Sequence, residues 1–127
     1  MASTFSLPRK EKLKSKKLID QLFVEGKNVS SFPIKLIYLK TALTEVPVQA
    51  GVTVPKKNFK SAVKRNRIKR LLREAYRLNK PLIFNNTKGN FAFLFLYLGK
   101  EVPKGATIAK NMALVLAKFL EKEEGKQ

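Results

Sequence analysis

Residues 56–73 carry nine basic side chains and no acid: Lys56, Lys57, Lys60, Lys64, Arg65, Arg67, Lys69, Arg70 and Arg73. In the same stretch Ile68, Leu71 and Leu72, followed by Ala75, recur at the i, i+3, i+4, i+7 spacing of a helix with one apolar face. Both patterns are met by an ordered helix that sinks one side into a core and turns a surface of a single sign outward. A merely solvated helix mixes signs and gains i, i+4 pairs. Here Arg65 with Lys69, Lys69 with Arg73, and Arg73 with Arg77 set like charges at that spacing, each pair costing a few tenths of a kcal/mol. Phosphates lying between them would remove that cost. Arginine suits the task because its planar fork grips phosphate bidentately and stacks on bases.

The whole chain has the same bias. Its 127 residues hold 27 Lys and Arg against 9 Asp and Glu, a net charge of +18, so self-repulsion opposes folding until a polyanion neutralises it. RNA or DNA is the first expectation and an anionic membrane surface the second. A DNA reader would lay this helix in a major groove, yet no helix-turn-helix partner, zinc ligands or zipper accompanies it. A membrane-surface helix would need an aromatic-rich exposed edge, and this apolar stripe is better used as core. The hydrophobic fraction of 44% suits one folded domain over 1–127, with an extended basic arm at 1–14 and a frayed tail at 121–127.

Catalysis by the protein itself is not expected. The chain has neither Cys nor His, and Asp20 is its one aspartate, so thiolate chemistry, imidazole bases and a carboxylate-clustered metal nuclease all lack their groups. No catalytic residue and no metal ligand set is assigned, although Asn66 with a nearby backbone oxygen could help hold a hydrated ion beside phosphates. The longest apolar run, Phe91 to Leu98, is too short to span a bilayer. No secretory signal is visible, and the expected location is the cytoplasm.

The pattern along the chain predicts alternating helices and strands. Ser15 is placed to cap a short helix with apolar Leu18, Ile19, Leu22 and Phe23, which Gly26 would end. A strand follows over Phe32–Thr41, with Ile34, Leu36 and Tyr38 on one side and Lys35 and Ile37 on the other. Thr44–Pro47 reads as a turn and Val48–Val54 as a second strand. Ser61 would cap the basic helix from Ala62 to about Asn79, with Ile68, Leu71, Leu72, Ala75 and Leu78 buried and Pro81 as the stop. After a loop at Asn85–Asn90, Phe91–Leu98 reads as a strand covered on both faces. A last helix opens at Gly105–Thr107 and buries Ile108, Met112, Val115, Leu116 and Phe119. Such an order suggests an α/β sandwich with helices packed on one face of a sheet and part of the other face left available.

The segment from Gly51 to Lys60, GVTVPKKNFK, and that from Ala62 to Arg77, AVKRNRIKRLLREAYR, resemble the signature of the protein subunit of bacterial ribonuclease P. Arg65-Asn66-Arg67-Ile68-Lys69-Arg70 matches its hallmark, and the looser order of elements elsewhere is collinear with it. The resemblance implies an α+β fold with an αβββαβα order, an about four-stranded mixed sheet in a two-layer sandwich, and a left-handed βαβ crossover. It implies a protein that docks on the catalytic ribonuclease P RNA and helps hold precursor tRNA, so that the 5′ leader is removed by RNA chemistry using Mg²⁺. No membrane and no obligate protein partner is implied. By position, Arg65, Asn66, Arg67, Lys69, Arg70 and Arg73 correspond to RNA-facing helix residues, and Lys56 and Lys57 to strand-end lysines. The family binds the single-stranded leader in a cleft between the first helix and the sheet. Phe23 matches one lining position, and Ile19 stands where an aromatic is common. Tyr38, or Ile37 one residue away, is the candidate from the strand, with ordinary core packing as the alternative for Phe23 and Tyr38. The exit of the last strand, Tyr97-Leu98-Gly99-Lys100-Glu101, departs from the family's basic ending. A structural RNA-binding protein of similar fold remains the competing reading.

Overall fold

A computed structural model describes residues 9–41 and 46–124. A single 3₁₀ turn at Arg9–Glu11 leads into α1 (Lys16–Glu25), β1 (Lys27–Ser31), β2 (Ile34–Lys40), β3 (Val48–Thr53), α2 (Ala62–Asn86), β4 (Phe91–Tyr97) and α3 (Gly105–Glu124). From α1 onward this is the αβββαβα order. The strands form one sheet in the order β1-β2-β4-β3. The β1–β2 and β2–β4 pairs are antiparallel, and β3–β4 is parallel. Parallel neighbours need a crossover, and α2 supplies it.

β4 explains its own composition. It is paired on both edges, and its side chains alternate between two apolar layers. Phe91, Phe93, Phe95 and Tyr97 join Ile34, Leu36 and Tyr38 of β2 beneath α2 and α3, while Ala92 and Leu94 join Ile37 beneath α1. The first layer is the main core, where the α3 stripe Ile108, Met112, Val115, Leu116 and Phe119 is fully buried. The second is smaller. Leu18 and Leu22 of α1 cover only part of the sheet there, with Leu13 beside them, and the strip toward β3 stays open.

The caps follow the sequence. Ser15 Oγ accepts from the Leu18 amide at 3.2 Å, and Ser61 Oγ from the Lys64 amide at 3.3 Å. Gly26 closes α1 through close approach: a Cβ there would collide with the Leu22 carbonyl oxygen and stand 2.7 Å from Ile37 Cγ2.

Several expectations are corrected. Pro81 does not stop the basic helix, which runs on to Asn86. Proline inside a helix costs about 3 kcal/mol, but the continuation buries Ile83 completely and packs Phe84 against the core, and a fully buried Ile alone offsets roughly 1.5–3 kcal/mol of that. Leu78 is 63% exposed, and Tyr76, at 1%, fills the buried stripe instead. The strand at 27–31 was invisible to periodicity because its side chains are polar or half-exposed. It is held by backbone pairing to β2, and by Lys118 and Lys122, whose Nζ atoms donate to the Ser30 and Asn28 carbonyls. Helix α3 runs to Glu124, and Glu123 accepts a hydrogen bond from the Tyr38 hydroxyl at 3.1 Å. Thr44 and Glu45 of the turn at Thr44–Pro47 lie outside the described residues.

Candidate nucleic-acid interface

The open strip of the second face is a groove of about 560 Å³. One wall is α1, which contributes Ile19 and Phe23. The floor is β3 and β4, with Gly51, Thr53 and Leu94. The other side carries Lys12 and Lys14 from the arm and Arg73 from α2. The groove exists because of small and missing side chains. Gly51 faces it, and a Cβ there would sit 3.3 Å from Leu13 Cβ and 3.5 Å from Leu94 Cδ1, so a larger residue would fill the floor.

The arm is ordered where it meets this site. The Leu13 amide donates to the Ala50 carbonyl at 3.0 Å, Gln49 Nε2 donates to the Lys10 carbonyl at 3.1 Å, and Lys12 bridges Ala50 in parallel sense. Leu13 is buried. Alternation of the Lys12-Leu13-Lys14 kind, apolar inward and basic outward, is the signal that could have shown where the extended basic arm docks.

Of the three residues expected to line a leader cleft, two line this groove. Phe23 lines the groove and is 57% exposed as a residue, and Ile19 stands half-buried one turn before it. An aromatic ring that exposed is not core packing. Tyr38 is elsewhere. It is 1% exposed, on the opposite side of the sheet, with its ring 4.8 Å from that of Phe119. Burial, the Glu123 carboxylate and its hydrogen bond all push the Tyr38 phenol above its usual range, which marks a fixed interior group. Ile37 does lie on the α1 side but is covered by that helix. The reason is register: strand residues alternate faces, and β2 gives its even positions to the main core.

The basic helix divides by function. At 100° per residue, Lys69, Asn66 and Arg70 fall within about 60° of Arg73, and Arg67 about 120° away. Asn66, Arg67 and Arg70 are exposed, while Lys69 and Arg73 are half-buried. None of these cations makes an ion pair among the described residues. Lys56 and Lys57, both exposed, sit in the turn between β3 and α2. A belt of positive charge therefore runs from the groove at Arg73 around α2. Arg65 differs from the others: its Nη1 donates to the Phe59 carbonyl at 2.7 Å and to the Lys60 carbonyl at 3.0 Å. It fastens the loop that leads into α2, and because carbonyls are neutral its charge still adds to the belt. Arg77 is the exception to the belt, since Glu74 pairs with it at 2.6 Å and is held by it below the usual carboxylate range.

Among the described residues no three Asp, Glu, His or Cys side chains come together to hold a metal ion. No described helix is long and apolar enough to cross a membrane. The chemistry on offer is electrostatic capture of phosphates and stacking on an exposed ring.

Known proteins fit this description. The sequence profile of the ribonuclease P family matches residues 7–119. The ribonuclease P protein component of Porphyromonas gingivalis strain W83 is 36% identical over 113 residues, covering 86% of this chain and 82% of the relative. That of Chlorobaculum tepidum is 38% identical over 104 residues, covering 75% and 68%. The fold matches the ribonuclease P proteins of Staphylococcus aureus (TM-score 0.69, 18% identity, 84% of this chain and 93% of that one) and Thermotoga maritima (0.65, 22%, 88% and 96%). With a hallmark helix, a four-stranded mixed sheet and relatives of this similarity, the chain belongs to the ribonuclease P protein family, accessory components of the endoribonuclease that processes the 5′ ends of tRNA.

Proposed function

We propose that this chain docks on ribonuclease P RNA through the exposed cations of α2 and the Lys56–Lys57 turn, and guides the single-stranded 5′ leader of precursor tRNA through the groove between α1, the arm and β3. The observation that carries the reading is the groove's composition. Phe23 stands exposed at one wall, and Lys12, Lys14 and Arg73 stand at the other. A single strand needs both, a π-face for its bases and cations for its phosphates.

The division of labour follows from the residues present. Lys and Arg lower the cost of bringing two polyanions together, and that contribution weakens with added salt. The RNA carries out the hydrolysis. Mg²⁺ would be held mainly by RNA phosphates, since the described residues gather no carboxylate set for it. Asn66, exposed on the belt, is placed to donate to or accept from groups around such an ion. Acting on precursor tRNA would place the complex in the cytoplasm. The test is reconstitution: protein, its cognate RNA and precursor tRNA at low Mg²⁺. Faster leader removal than with RNA alone supports the reading, and equal rates refute it.

A further inference from the structure

Glu11 is the sole acid among six cations between Arg9 and Lys17, and it has no role in capturing phosphate. The structure gives it an unusual position. Of the two ion pairs among the described residues, one lies within α2, and the other joins Lys80 Nζ to Glu11 Oε1 at 2.9 Å, linking the arm to the far half of α2. Both partners are largely covered, with side-chain exposures of 23% for Lys80 and 13% for Glu11. The ammonium stands off the hydrogen-bonding direction. Glu11 Oε1 and the Tyr76 hydroxyl are accordingly the two buried side-chain polar atoms without a hydrogen-bond partner among the described residues. They are neighbours electrostatically, because the Glu11 charge adds to burial in raising the Tyr76 phenol. Tyr76 in turn lines the groove with Arg73. Covering a carboxylate oxygen whose close partner is a poorly aligned ammonium, beside a phenol whose bond is unmade, is costly, so the arrangement calls for a reason.

The other ties of the arm, Leu13 to Ala50 and Gln49 to Lys10, go to β3 alone. Among the described residues only Glu11 makes a polar tie from the arm to α2. We propose that Glu11 is a positioning residue for the groove: by pairing with Lys80 over Tyr76 it fastens the arm to α2 and so holds Lys12 and Lys14 where the leader's phosphates pass. The inference rests on the leader-groove reading given above.

The sign of the effect makes it testable. Removing an acid beside a polyanion site should strengthen binding if charge alone matters. Loss of position should weaken it. The assay uses the complex reconstituted with ribonuclease P RNA and compares precursor tRNA bearing a leader with mature tRNA. Glu11→Gln is expected to lower affinity for the precursor about fivefold, the scale of a partly covered ion pair, to leave mature tRNA unchanged, and to speed hydrogen exchange at the Leu13 amide. Lys80→Gln should lose affinity for the same substrate, and the charge-swapped pair Glu11→Lys with Lys80→Glu, which preserves net charge, should regain it. Tighter or unchanged precursor binding by Glu11→Gln, or a swapped pair as weak as the single variants, overturns the proposal. Should the unaltered protein show no preference for the leader, the groove reading fails; should it show the preference and Glu11→Gln retain it, only the role of Glu11 fails.

Discussion

Replacing Phe23 by Ala removes the ring from the groove and little else. A phenylalanine buries up to about 200 Å², and with 57% of this one exposed less than half of that is covered, about 90 Å². At about 25 cal/mol per Å² the lost burial is at most about 2 kcal/mol, and less against a compact unfolded chain. A domain stable by about 5–15 kcal/mol stays folded under that loss. Stacking of one base is worth about 1–3 kcal/mol, so affinity for a leader-bearing precursor should fall by about 5-fold to 150-fold. The assay is equilibrium binding of fluorescently labelled precursor and mature tRNA to the reconstituted complex, with a thermal melt of each protein alongside. The expected result is a selective loss for the precursor with a melt shifted by only a few degrees. Equal losses for both ligands would refute the reasoning, and so would a precursor affinity that does not change.

Four other substitutions separate binding from scaffolding. Arg70→Ala should weaken RNA affinity and reduce the log–log salt slope by about one without altering the melt; an unchanged slope would put Arg70 in solvent. Arg65→Ala should also lower stability, by about 1.5–3 kcal/mol, because it frees the Phe59 and Lys60 carbonyls, and a melt identical to that of the parent would contradict this. Tyr38→Phe loses the bond to Glu123 and should cost about 1 kcal/mol in denaturant unfolding with precursor binding unaltered; a leader-specific loss would return Tyr38 to the groove. Pro81→Ala restores an amide inside α2 and should raise stability by about 1–3 kcal/mol, whereas destabilisation would mean that helix needs the proline's rigidity.

The elements legible in the sequence were those whose side chains alone decide them. The apolar stripe and the caps at Ser15 and Ser61 fixed the helices, and the unbroken run from Phe91 reported a strand enclosed on both faces. What escaped was set by partners. A local rule halts a helix at Pro81, but Ile83 and Phe84 find the core beyond it. Leu78 fits the stripe on a wheel, yet it stays exposed while Tyr76 packs against Phe93 and Phe95 of β4. The strand at Lys27–Ser31 is held by backbone bonds and two lysines from α3, none of which leaves a periodic trace. The interface divides in the same way. Charge marks Lys56 through Arg73, while the groove depends on what is missing at Gly51, on the face that β2 gives to Tyr38, and on an arm whose docking is visible only once Leu13 has a pocket.

The central claim is that the leader lies along Phe23. A photoreactive phenylalanine analogue placed at Phe23 of α1, and separately at the exposed Leu78 of α2, can be activated in the complex with ribonuclease P RNA and precursor tRNA, and the crosslinked nucleotides then mapped. The account predicts crosslinks from position 23 to nucleotides 5′ of the cleavage site and none to them from position 78. Crosslinks from position 23 only to the tRNA body, or equal yields to the leader from both positions, would contradict it.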